Sequence, residues 1–231
     1  MIVWVISSLL CITSIVSFSQ DDSLARGKEH MMSTGLRVLA LGDSYTIGES
    51  VSATDRWPEQ VVRLLRKRGL MVEEPVIIAK TGWTTDELMT GIEETNPRGP
   101  FDLVSLLIGV NNQYREKDIR EYRKEFKVLL DKAIWFASGD SSHVVVLSIP
   151  DWGVTPFADG RDRVKIAGEI DRFNAVNREE SDRARVHYLD ITRISRNAAT
   201  DPTLVANDGL HPSGRMYSEW AMMVVAEMFP E

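Results

Sequence analysis

The stretch Leu36-Arg37-Val38-Leu39-Ala40-Leu41-Gly42-Asp43-Ser44-Tyr45 constrains the chain more than any other. Its first half is a short aliphatic run, the pattern of a strand buried on both faces. Gly42 then breaks the run, and Ser44 follows where the chain must turn. In open parallel α/β sheets, ligands gather outside the carboxyl ends of the strands, so a serine there stands where chemistry is expected. A Gly-Asp-Ser tripeptide carries little weight alone. It gains weight because Asp208-Gly209-Leu210-His211 answers it near the other end of the chain.

Between these two points the sequence repeats a strand-turn-helix pattern. Pro75–Ala79, Asp102–Ile108, His143–Ile149 and Val186–Asp190 read as four further strands, each a short apolar run closed by turn residues. Asp55 as a cap, with Pro58 in the first turn, predicts a helix that ends at Gly69. Thr84–Glu87 and Asp118–Glu121 have capping-box spacing. The helix that Asp118 opens carries Tyr122, Phe126, Leu129, Leu130, Ala133 and Ala137 at helical spacing, a core face. A polar helix is expected over about 161–180. Ser213 caps the last helix, where Met216, Trp220, Met223, Val224 and Met228 line one side. Five strands alternating with helices, without an internal repeat, predict an α/β fold: a doubly wound five-stranded parallel sheet with helices on both faces.

At 231 residues the chain suits one domain with a sizeable core. A net charge of -7 and the lack of a Lys/Arg cluster argue against a nucleic-acid partner. Arg66-Lys67-Arg68 is the densest basic run and reads as the exposed C-terminal end of a helix, where the dipole favours cations. Residues 1–19 carry no charged side chain and resemble a secretory signal with small residues before a cleavage point after Ser19. An uncleaved membrane anchor is the competing reading. The expected organisation is a signal peptide over 1–19, a flexible leader over 20–34 and one folded domain over 35–231. On that reading the protein is exported and keeps no stable membrane span after cleavage. Cys11 is the only cysteine, so the cleaved form has no thiol. His30, His143 and His187 show no ligand spacing, so neither a metal nor another cofactor is expected.

Three strand ends deliver a small or polar residue into a loop, namely Ser44, Gly82 and Asn111, and Asp208 and His211 precede the last helix. Acyl transfer needs such a set. A serine hydroxyl is a poor nucleophile until an adjacent base takes its proton. An imidazole titrates near neutrality and suits that role, which falls to His211. Asp208, three residues earlier, can bond the other ring nitrogen and hold the tautomer. The backbone N–H groups of Ser44 and Gly82 and the Asn111 amide can serve a developing oxyanion. Taken singly, each residue also has an ordinary reading as a cap or turn residue.

Taken in order, these blocks resemble those of the SGNH/GDSL hydrolase (esterase/lipase) family: Gly42-Asp43-Ser44, then Gly82, then Gly109-Val110-Asn111, then Asp208–Ser213. The likeness covers essentially everything after Thr34. It implies a flavodoxin-like sheet, Ser44, Asp208 and His211 as catalytic residues, and an oxyanion hole of Ser44, Gly82 and Asn111. Two positions depart from the family pattern. Tyr45 replaces the leucine of the family name, a packing change. Asn112 stands where many members have aspartate, which alters hydrogen bonding in that loop. No Gly-x-Ser-x-Gly elbow occurs, which disfavours the α/β-hydrolase family.

The resemblance points to a serine-dependent ester hydrolase acting on a small-molecule or glycan ester, either a carboxylic-ester or a carbohydrate O-acetyl esterase. Lysophospholipid or thioester hydrolysis is the alternative, and acyl transfer to a sugar hydroxyl uses the same residues. From another class comes a non-catalytic ligand-binding domain on the same scaffold. Trp83, Gln113, Tyr114, Trp152 and Phe157 lie in loops at the same edge; they either line a substrate pocket or pack down on the scaffold. No long apolar lid is visible, which favours short acyl groups. Oligomeric state has no signature in the sequence.

Overall fold

Apolar strands that terminate at one edge set the architecture. The computed structural model describes residues 35–230; the signal-peptide and leader assignments, over 1–19 and 20–34, lie outside them. β1 (Val38–Gly42) is buried along its whole length, as its unbroken aliphatic run requires of a central strand. β2 (Val76–Ala79), β3 (Leu103–Leu107), β4 (Val144–Leu147) and β5 (His187–Leu189) complete one sheet in the order β2-β1-β3-β4-β5. All four pairings are parallel. This is the flavodoxin-like order, and the fold is α/β with a doubly wound five-stranded parallel sheet.

Helices cover both faces. On one side α2 (Trp57–Lys67) packs along α8 (Gly214–Met228), burying Trp57, Val61 and Leu65 with Trp220 and Val224. On the other, α5 (Ile119–Phe136) lies between α3 (Thr85–Thr95) and α6 (Arg163–Ala184). The face expected of α5 is the buried one: Tyr122, Phe126, Leu129, Leu130, Ala133 and Ala137 are all in the core. In α8 the buried side is Met216, Tyr217, Trp220, Ala221, Val224 and Val225, while Met223 and Met228 are only partly covered. Two short helices sit directly on strand ends, α1 (Ser44–Ile47) after β1 and α4 (Val110–Tyr114) after β3, and a third, α7 (Thr192–Ser195), follows β5.

Caps decide the boundaries. Thr84 makes both halves of a capping box with Glu87, Asp118 accepts from the N–H groups of Arg120 and Glu121, and Ser213 accepts from Met216. Asp55 does not cap α2: its carboxylate takes the Ser52 hydroxyl at 2.8 Å, and Arg56 becomes the N-cap, with no side-chain bond. The long polar helix also starts later than expected, because Asp162 caps it through Lys165 N–H, and it runs on to Ala184. Arg66 and Lys67 do occupy the last turn of α2.

The join between β1 and α1 leaves no spare volume. A Cβ on Gly42 would lie 2.1 Å from Thr46 Oγ1 and 2.5 Å from the Leu107 carbonyl oxygen, the latter on backbone that cannot turn aside. Gly42→Ala is therefore expected to destabilise the fold by about 1–3 kcal/mol through overpacking. Its denaturation midpoint, compared with that of the parent protein, measures this.

Candidate active site

The β1–α1 junction fixes Ser44. Asp43 is the N-cap of α1, its Oδ1 accepting the Tyr45 N–H at 3.0 Å, so Ser44 opens the helix with its own N–H unclaimed by the helical pattern. Ser44 is almost fully buried at the edge, and its hydroxyl has no hydrogen-bond partner among the described residues. Burial pushes the Asp43 carboxyl up to about 7, against the lowering effect of the backbone N–H bonds it accepts. Asp43 Oδ2 is buried without a partner among the described residues.

Gly82 lies in the turn after β2 with φ of +87°, a backbone shape that favours glycine. Its carbonyl accepts from Arg115 Nη2 at 2.6 Å. Gly109, the N-cap of α4, has φ of +124°, and a Cβ there would lie 2.4 Å from Tyr122 Oη. That tight turn brings Asn111 round so that its Nδ2 donates to the Trp83 carbonyl at 2.9 Å, next to Gly82. The second amide hydrogen remains for another acceptor. Asn112, beside it, bonds Thr85 twice, accepting from its N–H at 3.2 Å and donating to its hydroxyl at 2.7 Å.

The loop before α8 supplies the remaining pair. His211 Nδ1 lies 2.5 Å from Asp208 Oδ2, and His211 is buried to 7 % exposure. Asp208 Oδ1 accepts the N–H groups of Leu210 and His211 at 2.9 and 3.0 Å. A fourth donor, the Ser50 hydroxyl, reaches Oδ2 at 2.7 Å. Partial burial alone would raise the Asp208 pKa; the bonds from His211, Ser50 and the two backbone amides outweigh it and hold the carboxyl well below the usual range. The Tyr45 ring packs against the imidazole, centroids 5.5 Å apart. The residue after Ser44 therefore touches His211, and the first and last sequence blocks meet at one edge. His211 Nε2 has no hydrogen-bond partner among the described residues.

The five residues expected in loops at this edge divide, and two of them, Gln113 and Tyr114, lie in α4, because the turn after β3 winds straight into that short helix. Gln113 and Trp152 are buried and used within the fold: Gln113 accepts from Trp152 Nε1 at 2.9 Å and donates to Glu169 at 2.8 Å. The Trp83 ring rests on α3 at Gly91, where a Cβ would come within 2.1 Å of it. Tyr114 and Phe157 are 46 % and 39 % exposed, and with Trp152 they form a cluster with centroids 5.5–6.4 Å apart. The Arg161 guanidinium lies over all three rings at 5.0–5.4 Å. Phe157 N–H donates to the Gly209 carbonyl at 2.9 Å, so this cluster adjoins the Asp208–His211 loop. A cavity of about 230 Å³ opens beside Tyr114, Trp152 and Arg161. Neither Ser50 nor Arg161 carried a signal in the sequence: the partner of Ser50 is 158 residues away, and the three rings under Arg161 come together only in the fold.

Comparison with known proteins adds three findings. The family model described as the GDSL-like lipase/acylhydrolase family matches residues 40–218. No curated protein matches the sequence. Among solved structures, a lipase/acylhydrolase from Enterococcus faecalis is 19 % identical with a TM-score of 0.64, over 84 % of this chain and 95 % of its own. The acetylxylan esterase Axe2 from Geobacillus stearothermophilus is 20 % identical with a TM-score of 0.64, over 87 % and 98 %. TesA is 16 % identical with a TM-score of 0.65, over 84 % and 98 %. At such identities the likeness concerns the fold.

Asp43 makes stability depend on pH. Its folded pKa is raised, so the native state holds a proton that the unfolded chain releases, and stability falls between about pH 4, where unfolded aspartate ionises, and about 7. Asp43→Asn abolishes this loss. The melting temperature of the variant relative to the parent is expected to rise from about pH 4 to about pH 8, as thermal melts at both pH values will read.

Proposed function

The chain belongs to the GDSL-like lipase/acylhydrolase family and is an ester hydrolase; from that premise we propose that it works through an acyl-enzyme formed on Ser44. Ser44 Oγ attacks the acyl carbonyl while His211 Nε2 takes its proton. Asp208 holds the Nδ1–H tautomer and stabilises the imidazolium. The N–H groups of Ser44 and Gly82 and the free hydrogen of Asn111 Nδ2 receive the oxyanion of the tetrahedral intermediate. Collapse expels the alcohol, which takes the proton from His211. Water, deprotonated by the same imidazole, then attacks the acyl carbon; the bond to Ser44 Oγ breaks, Oγ takes the proton back from His211 and the acid leaves.

One observation carries this reading. The Asp208–His211 pair, at 2.5 Å, lies under the ring of the residue that follows Ser44. A non-catalytic binding domain has no need of an ionised carboxylate aligned on an imidazole beside a serine whose hydroxyl is unengaged.

For the substrate we propose a short acyl group on a small or sugar alcohol. Tyr114 and Phe157, partly exposed beside the Asp208–His211 loop with the Arg161 guanidinium over their rings, offer an aromatic and hydrogen-bonding surface suited to a sugar alcohol, and the absence of a long apolar lid in the sequence favours a short acyl chain. Residues 1–19 support export.

Three outcomes are expected. Ser44→Ala loses hydrolysis of p-nitrophenyl acetate and labelling by a fluorophosphonate while keeping its melting temperature; an active Ser44→Ala variant removes the nucleophile. A panel of acetyl, octanoyl, lysophospholipid and acetylated-xylan substrates is expected to favour the acetyl esters. Protein recovered outside the cytoplasm is expected to begin at Gln20 by mass analysis, whereas an intact mass in the membrane fraction identifies an anchor.

A further inference from the structure

The segment after α1 makes two contacts that the acyl-enzyme scheme does not use. Gly48 closes α1 in the left-handed region with φ of +71°, and Glu49 N–H returns to the Ser44 carbonyl at 3.1 Å. The Glu49 carboxylate accepts the Thr81 hydroxyl, beside Gly82. Ser50 then reaches across 158 residues of sequence to donate to Asp208 Oδ2 at 2.7 Å. That is the oxygen on which His211 Nδ1 rests. Ser50 holds φ of +63°, a shape that L-residues other than glycine adopt infrequently. Ser50 is exposed, so burial of its side chain does not account for this conformation.

We infer that Ser50 is a positioning residue for the Asp208–His211 pair, fixing the carboxylate oxygen that orients the imidazole; this rests on the catalytic reading of that pair. The two backbone bonds within the loop hold Oδ1 only. Oδ2 is free to leave the imidazole plane unless a second donor pins it from outside the loop. Ser50 is that donor, and it belongs to the same short segment that begins on Ser44. Displacement of one end of this strap is thus transmitted to both the nucleophile and the base. Ser50 brings no net charge; its hydrogen bond favours the ionised carboxylate and fixes where Oδ2 lies.

The test separates the hydroxyl from the backbone. Ser50→Gly removes the donor and suits the left-handed φ. It is expected to keep its melting temperature while kcat for p-nitrophenyl acetate falls about tenfold with KM little changed, the size of one hydrogen bond to a charged group. Ser50→Asn tolerates the same backbone and returns an N–H donor, so it is expected to recover much of kcat. The far-downfield proton resonance of His211 Nδ1–H is expected to move in Ser50→Gly and to return towards its place in Ser50→Asn. Asp208→Ala is assayed alongside. A fully active Asp208→Ala variant overturns the reading of the pair and the role of Ser50 with it. A slow Asp208→Ala variant beside a Ser50→Gly variant with parental kcat and an unmoved resonance overturns the Ser50 proposal alone. Loss of stability in Ser50→Gly without rescue by Ser50→Asn also overturns it, in favour of a folding role.

Discussion

Four donors converge on the Asp208 carboxylate: two backbone amides, one imidazole nitrogen and one hydroxyl. This concentration lets a carboxyl group stay ionised at a partly buried site, where desolvation alone would favour the neutral acid. The surrounding loop is shaped to make it possible. Ala206 N–H donates to the His211 carbonyl at 2.7 Å, Val205 pairs with Pro212, and Phe157 N–H ties down Gly209. The backbone therefore closes on itself around Asp208, and the imidazole follows from that closure, not from any strand. Ser213, two residues on, caps α8 and fixes where the loop ends.

The other blocks meet for a different reason. In a parallel sheet every strand ends at the same edge, so the register between neighbours determines which loops touch. Gly42 pairs with Ala79 on one side and with Leu107 on the other. Ser44, Gly82 and Asn111 follow these three paired residues by only a few positions each, on adjacent strands. Their meeting is a consequence of register, and the Asn111–Trp83 hydrogen bond records it. Residues far apart in sequence are thus brought together by two unrelated constraints: sheet geometry for three of them and local loop closure for the Asp208–His211 pair.

This division explains what could be read in advance. The buried strands, the order of blocks and the capping residues Thr84, Asp118 and Ser213 depend on local composition, and the fold bears them out. Asp55 misled because a serine three residues earlier competes for the same carboxylate, a local contest whose winner the spacing does not reveal. The roles of residues at the strand ends were least legible. Gln113 and Tyr114 are adjacent in sequence, yet one is buried in a hydrogen-bonded link to Trp152 and the other exposes nearly half its surface. Burial of a side chain in so short a helix depends on what the neighbouring loops bring to it, and no periodicity encodes that. Ser50 is the sharpest case, since its partner stands 158 positions away.

The two departures from the family pattern turn out to be matched to their surroundings by the same logic. At Tyr45 a ring stands where a leucine would pack, and that ring meets the imidazole. Burial, then the nearby carboxylates of Asp43, Asp151 and Asp208, push its hydroxyl pKa upward, so the neighbour it presents to His211 is neutral. Asn112 is subject to a stricter constraint. The Thr85 hydroxyl donates its single hydrogen to the Glu125 carboxylate and must therefore accept, not donate, on its other side. The Asn112 amide supplies that hydrogen at 2.7 Å while its carbonyl oxygen takes the Thr85 N–H. An aspartate at 112 could receive the N–H but not satisfy the hydroxyl, and it would bring a second carboxylate to a group already claimed by Glu125. Asparagine at 112 is thus what Glu125 demands, and the loop that turns Asn111 towards the site keeps its shape because the pair is complementary.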